Sequence, residues 1–406
     1  MFFYYLNLIK EYIWKLNETN NVNDNNINTV IKKETYKIGL LTNEIPPIIY
    51  GGVATWIVNF MKMFEDNEIY EVIPIFLAHQ DTLPPGVYET YPNIRVINSK
   101  CSMKEIFNDI DICVNNLWVA LDYICHLKYI YPQLNIVTVC HSLIRMENIT
   151  NMGSCYTNNF NDQEITFQNS DYVILISDAE KVHYDNFHYN QFSAITRRIY
   201  NPYQPKYDNI YFDVDYFSNV IGYIGRHVPR KQPELALMSV VKHNIKNTSV
   251  INMGVDNDRY ENIYWNTLEK IYDKILTIIP FTSDKSVKES YFKQIGANVH
   301  SAIYEPLGYV PLECLDRRVP LIVADIDGPK EIIQGYEEYV YPYSVDISNY
   351  EKNIDNCSIQ IKKFLDTSPE TRKINCEKAR DALDKFRPEN IVKGWIQLFN
   401  EIVNIH

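Results

Sequence analysis

No two of the eight cysteines, at 101, 113, 125, 140, 155, 314, 357 and 376, are spaced as Cys-x-x-Cys, and no group of them has a tight zinc spacing. They read as free, mostly buried thiols of a reducing compartment, so a cytoplasmic location is expected. A cationic surplus is also missing. The formal net charge of -12 argues against a general nucleic-acid binder, because neutralising phosphates needs a basic face. A membrane span is not offered by the apolar, aromatic start MFFYYLNLIKEYIWKLN, which Lys10, Glu11 and Lys15 interrupt. That start also lacks the basic residues and small-residue cleavage site of a signal peptide. Asn-x-Ser/Thr occurs at Asn17, Asn148 and Asn247, as chance allows in an asparagine-rich chain.

What is present is a globular composition, 46% hydrophobic over 406 residues, enough for two or three domains and a large core. Phe2, Leu6, Ile9, Ile13 and Leu16 recur at helical spacing and predict a helix with one apolar face. Its expected use is docking on the body or on a second copy, as a homodimer, ahead of lying in a membrane interface. Residues 17–30, NETNNVNDNNINTV, form a polar linker. The expected division is residues 1–35 for helix and linker, 36–200 and 201–385 for two α/β units, and 386–406 for a terminal helix.

From Tyr36 onward, short β-rich runs alternate with helical stretches, the pattern of an open α/β sheet. KIGLLTN is the first strand, and Gly51 and Gly52 fall where the next helix starts, where a glycine pair lets a phosphate approach. Strands follow at EVIPIFLA, IDICVNN, NIVTVCH and YVILIS, with His141 closing the third of these. A lone histidine is more often structural, and Ser177 and Asp178 after YVILIS are explained as well by helix capping. RRIYNPYQPKYDN interrupts the pattern with two prolines and marks the boundary.

The second unit opens with NVIGYIGRHVPRKQPELALMSV: a strand, a loop with Arg226 and Lys231, and a helix from about Pro233. Two cations after a strand and before a helix suit a doubly charged leaving group, arginine gripping two oxygens and lysine acting as a point charge. Taken singly, each could belong to a solvated basic turn with Arg230 between them. After SVINMG and KILTIIPF comes VHSAIYEPLGYVPLECLDRRVPLIVADIDGPKEII, residues 299–333. There Glu305 lies in a loop, Gly308 admits a close ligand, Pro311 fits a helix's first turn and Glu313 is expected on that turn. Its free N–H groups favour an anion such as a diphosphate, and PLIVAD reads as a buried parallel strand. FRPENIVKGWIQLFNEI is an amphipathic helix with Ile391, Trp395 and Phe399 on one face.

Glu305 and Glu313, with Pro-Leu-Gly after the first, resemble the paired-glutamate motif of retaining family 4 glycosyltransferases. The Gly51-Gly52 loop with Glu44 and Pro47 upstream, His141, and Gly225-Arg226 with Lys231 resemble further family segments, in the family's order, over roughly residues 36–406. The resemblance implies a GT-B fold, two Rossmann-like α/β domains facing each other across a cleft, with the final helix crossing back to the first domain. It implies transfer of a sugar from a nucleotide diphosphate to an acceptor hydroxyl with retention. Arg226 and Lys231 would hold the diphosphate, assisted by Gly51, Gly52 and Gly308. Glu313 would bind the ribose, Glu305 would orient the transferred sugar, and His141 would face it. No cofactor or metal is expected.

Two departures bear on the donor pocket. Asp316-Arg317-Arg318 stands where the family has a small residue and glycine, and DGPKE replaces a more glycine-rich turn before Glu331. Asp-x-Asp occurs at 109/111, 213/215, 256/258 and 325/327, and in an acidic chain chance is the better account than a metal-binding pair. Over residues 36–200, 10 Lys/Arg stand against 18 Asp/Glu, which favours a glycan acceptor over an anionic lipid. A nucleotide-sugar epimerase and a non-catalytic sugar-nucleotide-binding scaffold are the other readings. The sequence does not separate uridine from guanosine donors.

Overall fold

β1 (Tyr36–Thr42), YKIGLLT, is buried along almost its whole length, as a strand covered on both faces must be. In this computed structural model, which describes residues 35–404 apart from 49–50, 79–82, 85, 99–102, 118–120, 152–158, 189–190 and 256–258, that strand is central to the first sheet. The helix expected near the N-terminus and its linker lie outside the described residues. β1 pairs in parallel with β2 (Tyr70–Leu77) and β4 (Ile112–Asn115). With β3 (Arg95–Ile97), β5 (Asn135–Cys140), β6 (Tyr172–Leu175) and β7 (Ile195–Arg198) they form a seven-stranded parallel sheet, order β3-β2-β1-β4-β5-β6-β7.

A second parallel sheet holds β8 (Val220–Ile224), β9 (Ser249–Val255), β10 (Leu276–Pro280), β11 (Ala297–His300), β12 (Leu321–Ala324) and β13 (Tyr341–Tyr343), order β10-β9-β8-β11-β12-β13. The GT-B architecture expected from the sequence is therefore present. Strand order reverses between β1 and β4 in one sheet and between β8 and β11 in the other. Open sheets hold ligands outside the carboxyl ends of their strands at such reversals. The loops that leave β1, β8 and β11 carry the glycine pair, the basic segment and Glu305.

The helices that position these loops are α1 (Gly52–Met63), α2 (Ile144–Thr150), α3 (Asp178–His188), α4 (Leu235–Lys242), α5 (Lys285–Gln294), α6 (Tyr309–Arg317), α7 (Asp327–Ile333) and α8 (Pro388–Ile402). In α8, Ile391, Trp395, Leu398 and Phe399 are buried at helical spacing. They lie against α1: the Trp395 ring meets Phe60 edge-on at 5.0 Å and Trp56 at 6.0 Å. Aromatic pairs of this kind contribute about 0.5–1.5 kcal/mol each beyond burial.

The chain passes from one sheet to the other twice, after β7 and again ahead of α8. The two crossings touch, Tyr203 N–H donating to Phe386 O at 2.8 Å. Asp208 on the outward crossing accepts from Arg380 (2.6 Å) and Arg387 (2.7 Å) on the return. These two arginines hold the Asp208 carboxyl well below the usual carboxylate range.

The Asp316-Arg317-Arg318 departure is explained by this junction. Fully buried Asp316 accepts from Tyr203 Oη (3.1 Å), Lys206 N (2.8 Å) and Arg380 (3.0 Å). Arg317, 1% exposed, is held by Glu289 of α5 at 2.6 and 2.8 Å. Arg318 takes the left-handed position (φ +62°) that ends α6, where glycine would ordinarily stand. None of the three lines the cleft, so their charges brace the crossing and leave the shape of the site to others.

Cys113, Cys125, Cys140, Cys314, Cys357 and Cys376 are free thiols, and all but Cys125 are buried. Among the described residues no helix is long and apolar enough to cross a membrane.

Candidate active site

A cleft of about 440 Å³ lies between the carboxyl ends of the two sheets. Gly51, Gly52 and His141 from the first half, and Arg226, Lys231, Glu305 and Gly308 from the second, all line it. Glu313 does not. α6 begins at Tyr309, two residues before Pro311, so Glu313 falls just past the first turn on which it was expected. Its Oε1 accepts from Lys288 of α5 at 2.6 Å, and its buried Oε2 has no partner among the described residues.

On the first half, Gly51 is the N-cap of α1. A Cβ there would come within 3.0 Å of Glu44 Oε2, so the glycine keeps that carboxylate in the loop. Burial raises the Glu44 pKa, against a backbone N–H from Ala54 and the charge of Arg226. His141 follows β5, its ring edge-on to Trp56 at 5.2 Å and its Nε2 2.8 Å from Asn116 Oδ1. The Asn116 amide nitrogen faces Leu41 O, which leaves its oxygen to accept, so Nε2 carries the proton. Burial holds the His141 pKa down to about 3, and the ring is therefore neutral, with Nδ1 as a hydrogen-bond acceptor.

The three cations of the β8 loop have three different situations. Arg226 is exposed, and its guanidinium makes no hydrogen bond or ion pair among the described residues. Lys231 closes against Glu305 Oε2. Burial, then the charges of Arg230 and Arg226, press its pKa well below the usual lysine range. Arg230, which the sequence suggested could be a solvated turn residue, is 3% exposed. Its guanidinium donates to Glu147 Oε1 of α2 (3.0 Å) and to Tyr304 O (3.1 Å), and its backbone N–H donates to Asn151 (3.0 Å).

Glu305 itself sits between Lys231 and His300, whose Nε2 is 3.5 Å from the same carboxylate oxygen. Gly308, at φ +96°, makes the turn into α6, and a Cβ on it would approach Glu305 Cγ to 3.1 Å. A side chain there would displace the carboxylate as well as strain the backbone.

The residue before Glu305 points the other way. Tyr304, fully buried, shares its hydroxyl with Glu180 of α3 at 2.9 and 3.0 Å and accepts the Leu143 N–H at 2.9 Å. Glu180 is also fully buried, and burial pushes its pKa up to about 8. Nearby, the Glu331 carboxylate of α7 accepts the first N–H groups of α3, Asp178 (3.0 Å) and Ala179 (2.5 Å), the pairing a helix N-terminus favours. Ser177 Oγ takes the Glu180 N–H at 3.0 Å, so capping accounts for that serine. Asp327 occupies a left-handed position (φ +46°) in the glycine-poor turn and holds His183 of α3 at 2.9 Å. Sequence reasoning missed Arg230, Glu180 and Tyr304 because each is defined by a partner far along the chain.

Among the described residues no group of three or more His, Cys, Asp or Glu could hold a metal. Asp109 is instead bound by Lys37 (2.7 Å) and Arg95 (2.6 Å), and Asp325 by Lys330 (3.2 Å).

Residues 216–380 match the family model described as Glycosyl transferases group 1. No curated protein sequence matches the chain. Among solved structures, it is similar to a sucrose-phosphate synthase from Thermosynechococcus elongatus, with TM-score 0.73 and 16% identity, covering 91% of this chain and 100% of that one. It is similar to Anabaena Alr3699/HepE in complex with UDP-glucose, TM-score 0.66, 15% identity, covering 90% and 99%. A third neighbour is the catalytic domain of starch synthase IV from Arabidopsis thaliana bound to ADP and acarbose, TM-score 0.64, 11% identity, covering 92% and 100%. The fold of the described body is GT-B, and residues 216–380 of its second half match the glycosyl transferases group 1 model.

Proposed function

We propose that this chain is a retaining glycosyltransferase of family 4 that moves a sugar from a nucleotide-diphosphate donor to a hydroxyl of a glycan acceptor. The observation that carries the reading is Arg226: a cation at the second sheet's strand-order reversal, in the cleft, with no carboxylate committed to it. Such a group is free to take two oxygens of a diphosphate. Lys231 stands beside it, and its contact with Glu305 is one that a bound diphosphate would compete for.

In this reading the bond from the anomeric carbon to the leaving phosphate oxygen breaks and the bond to the acceptor oxygen forms on the same face. The acceptor proton passes to the leaving oxygen, so no separate base is needed. The protein's work is to stabilise the charge that develops on the diphosphate, through Arg226, Lys231 and the N–H groups at the start of α6. Glu305 orients the sugar. Neutral His141 offers Nδ1 as an acceptor to a hydroxyl of the sugar or of the incoming acceptor. Glu313, outside the cleft lining and paired with Lys288, would have to leave that partner to meet the ribose hydroxyls. Among the described residues the first-half wall of the cleft contributes Glu44 and Glu147 and no lysine or arginine, which favours a neutral acceptor over an anionic one.

Neighbours solved with UDP-glucose, or with ADP and acarbose, support a nucleotide-sugar donor. We place the enzyme in the cytoplasm and expect its turnover to persist in excess chelator. The test is a thermal-shift screen with UDP, GDP, ADP and their sugars, since a ligand of the folded state raises apparent stability by mass action. Proton NMR of the product from the stabilising donor would follow. Retained anomeric configuration in a new glycoside is the expected result. Donor epimerised without acceptor, or binding without turnover across a glycan panel, would replace this reading.

A further inference from the structure

Two residues that line the cleft each carry a buried polar atom with no hydrogen-bond partner among the described residues: Asn201 Oδ1 and His300 Nδ1. Asn201 is 4% exposed and His300 6%, so water does not compensate either freely. A buried polar group left unpaired costs about 1–3 kcal/mol, and a native structure keeps one where something else pairs with it.

Asn201 is built into place. It lies on the first crossing, and the next residue's carbonyl, Pro202 O, accepts from Asn59 of α1 (3.0 Å) and from Tyr309 of α6 (3.3 Å). The backbone is thus fixed from both halves of the molecule, while the side-chain amide makes no hydrogen bond among the described residues. His300 ends β11 on the opposite side. Its Nε2 lies 3.5 Å from Glu305 Oε2, and its Nδ1 is the ring atom left without a partner.

The chemistry of the two groups restricts what can satisfy them. Asn201 Oδ1 needs a donor, a neutral imidazole offers one nitrogen of each kind, and a primary amide is completed by a group that both donates and accepts. A phosphate or carboxylate oxygen accepts only. A sugar hydroxyl does both. We propose that Asn201 and His300 are specificity-determining contacts for the free hydroxyls of the sugar held beside Glu305, reading the sugar and not the nucleotide. This rests on the donor assignment of the preceding section.

The test separates the sugar's contribution from the diphosphate's. Titration calorimetry of UDP, GDP and ADP against UDP-glucose, GDP-glucose and ADP-glucose gives, for the wild type, the gain in affinity that the sugar adds. In Asn201→Ala and His300→Ala that gain should fall about tenfold to a hundredfold, the range for one unmade hydrogen bond in a buried site, while affinity for the bare diphosphate stays. Asn201→Ser, which keeps a hydroxyl, should recover part of it. One member of a 2-, 3-, 4- and 6-deoxyglucose series on the same nucleotide should lose affinity in the wild type and lose no more in Asn201→Ala. Equal losses for diphosphate and sugar nucleotide, or a sugar contribution unchanged in all three variants, overturns the inference and leaves the donor assignment standing. Failure of the wild type to bind any of the three diphosphates sinks the donor assignment, and this inference with it.

Discussion

Arg230 Nη2 lies 3.0 Å from Glu147 Oε1, and the pair joins the β8 loop of one half to α2 of the other. With the arginine 3% exposed, the interaction is sheltered from solvent. Removing one partner of such a pair leaves a charge buried without compensation, at about 3–5 kcal/mol. Arg230→Met should therefore lower the denaturant midpoint substantially, measured by tryptophan fluorescence. A midpoint within error of the wild type would show that the pair is not a clasp.

Arg226, four residues earlier, should behave in the opposite way. Its side chain is exposed and makes no hydrogen bond among the described residues, so Arg226→Ala should change stability by less than about 0.5 kcal/mol. Turnover should fall by about a hundredfold or more, the range for removing a preorganised charge from a reacting group. Steady-state kcat with the donor found by thermal shift decides it, and unchanged turnover removes Arg226 from the diphosphate site.

The Glu180 carboxyl gives the folded chain a pH dependence of definite sign. Its pKa is about 8 in the fold against 4.5 for an ordinary glutamate, so between those values the folded state holds a proton that the unfolded state has lost. That contribution is complete below pH 4.5 and is lost as pH rises through about 8, a change on the order of a few kcal/mol. His183, raised chiefly by its hydrogen bond to Asp327, adds a loss of the same sign. The readout is therefore the difference between wild type and Glu180→Gln. Melting temperatures from pH 5 to 8 should fall less steeply in the variant, and parallel profiles would contradict the assignment.

Trp395 is 1% exposed and fixes α8 to Phe60 and Trp56. Truncating a buried tryptophan costs about 3–5 kcal/mol. Trp395→Ala should lower the melting temperature by several degrees, and limited proteolysis should then cut between the second half and α8 first. Cleavage elsewhere, with α8 protected, would mean the helix holds by other contacts.

Most of the fold was legible because parallel strands covered on both faces announce themselves as short apolar runs, and β1, β5 and β12 are such runs. Gly51, His141, Arg226, Lys231, Glu305 and Gly308 each follow a strand, at the end where open sheets gather ligands, but position alone gave His141 no role, and it was the resemblance to family 4 glycosyltransferases, in the order of its segments, that singled out the set. Arg230 was not singled out, since a basic residue in a polar turn looks solvated until Glu147 is seen beside it. Tyr304 reads as one more aromatic beside Glu305 until Glu180 shows where its hydroxyl goes. Asn201 sits in the very stretch, YNP, that marks the domain boundary; a boundary and a ligand contact are written with the same residues. Pro311 does stand in the first turn of α6, but since that residue tolerates any place in the turn it did not fix where Glu313 would fall, which is just past it.

The hydrogen bond from Tyr203 to Phe386 joins the outgoing and returning chains side by side. Two tethers fastened together act as a pivot line, and displacement about a pivot grows with distance from it. Asn201, two residues from that line, would keep its place through any swing of the halves, while Arg230 and Glu147, clasped across the gap, would be among the groups that must part. A side chain at the still point can read what enters before the far edge has closed.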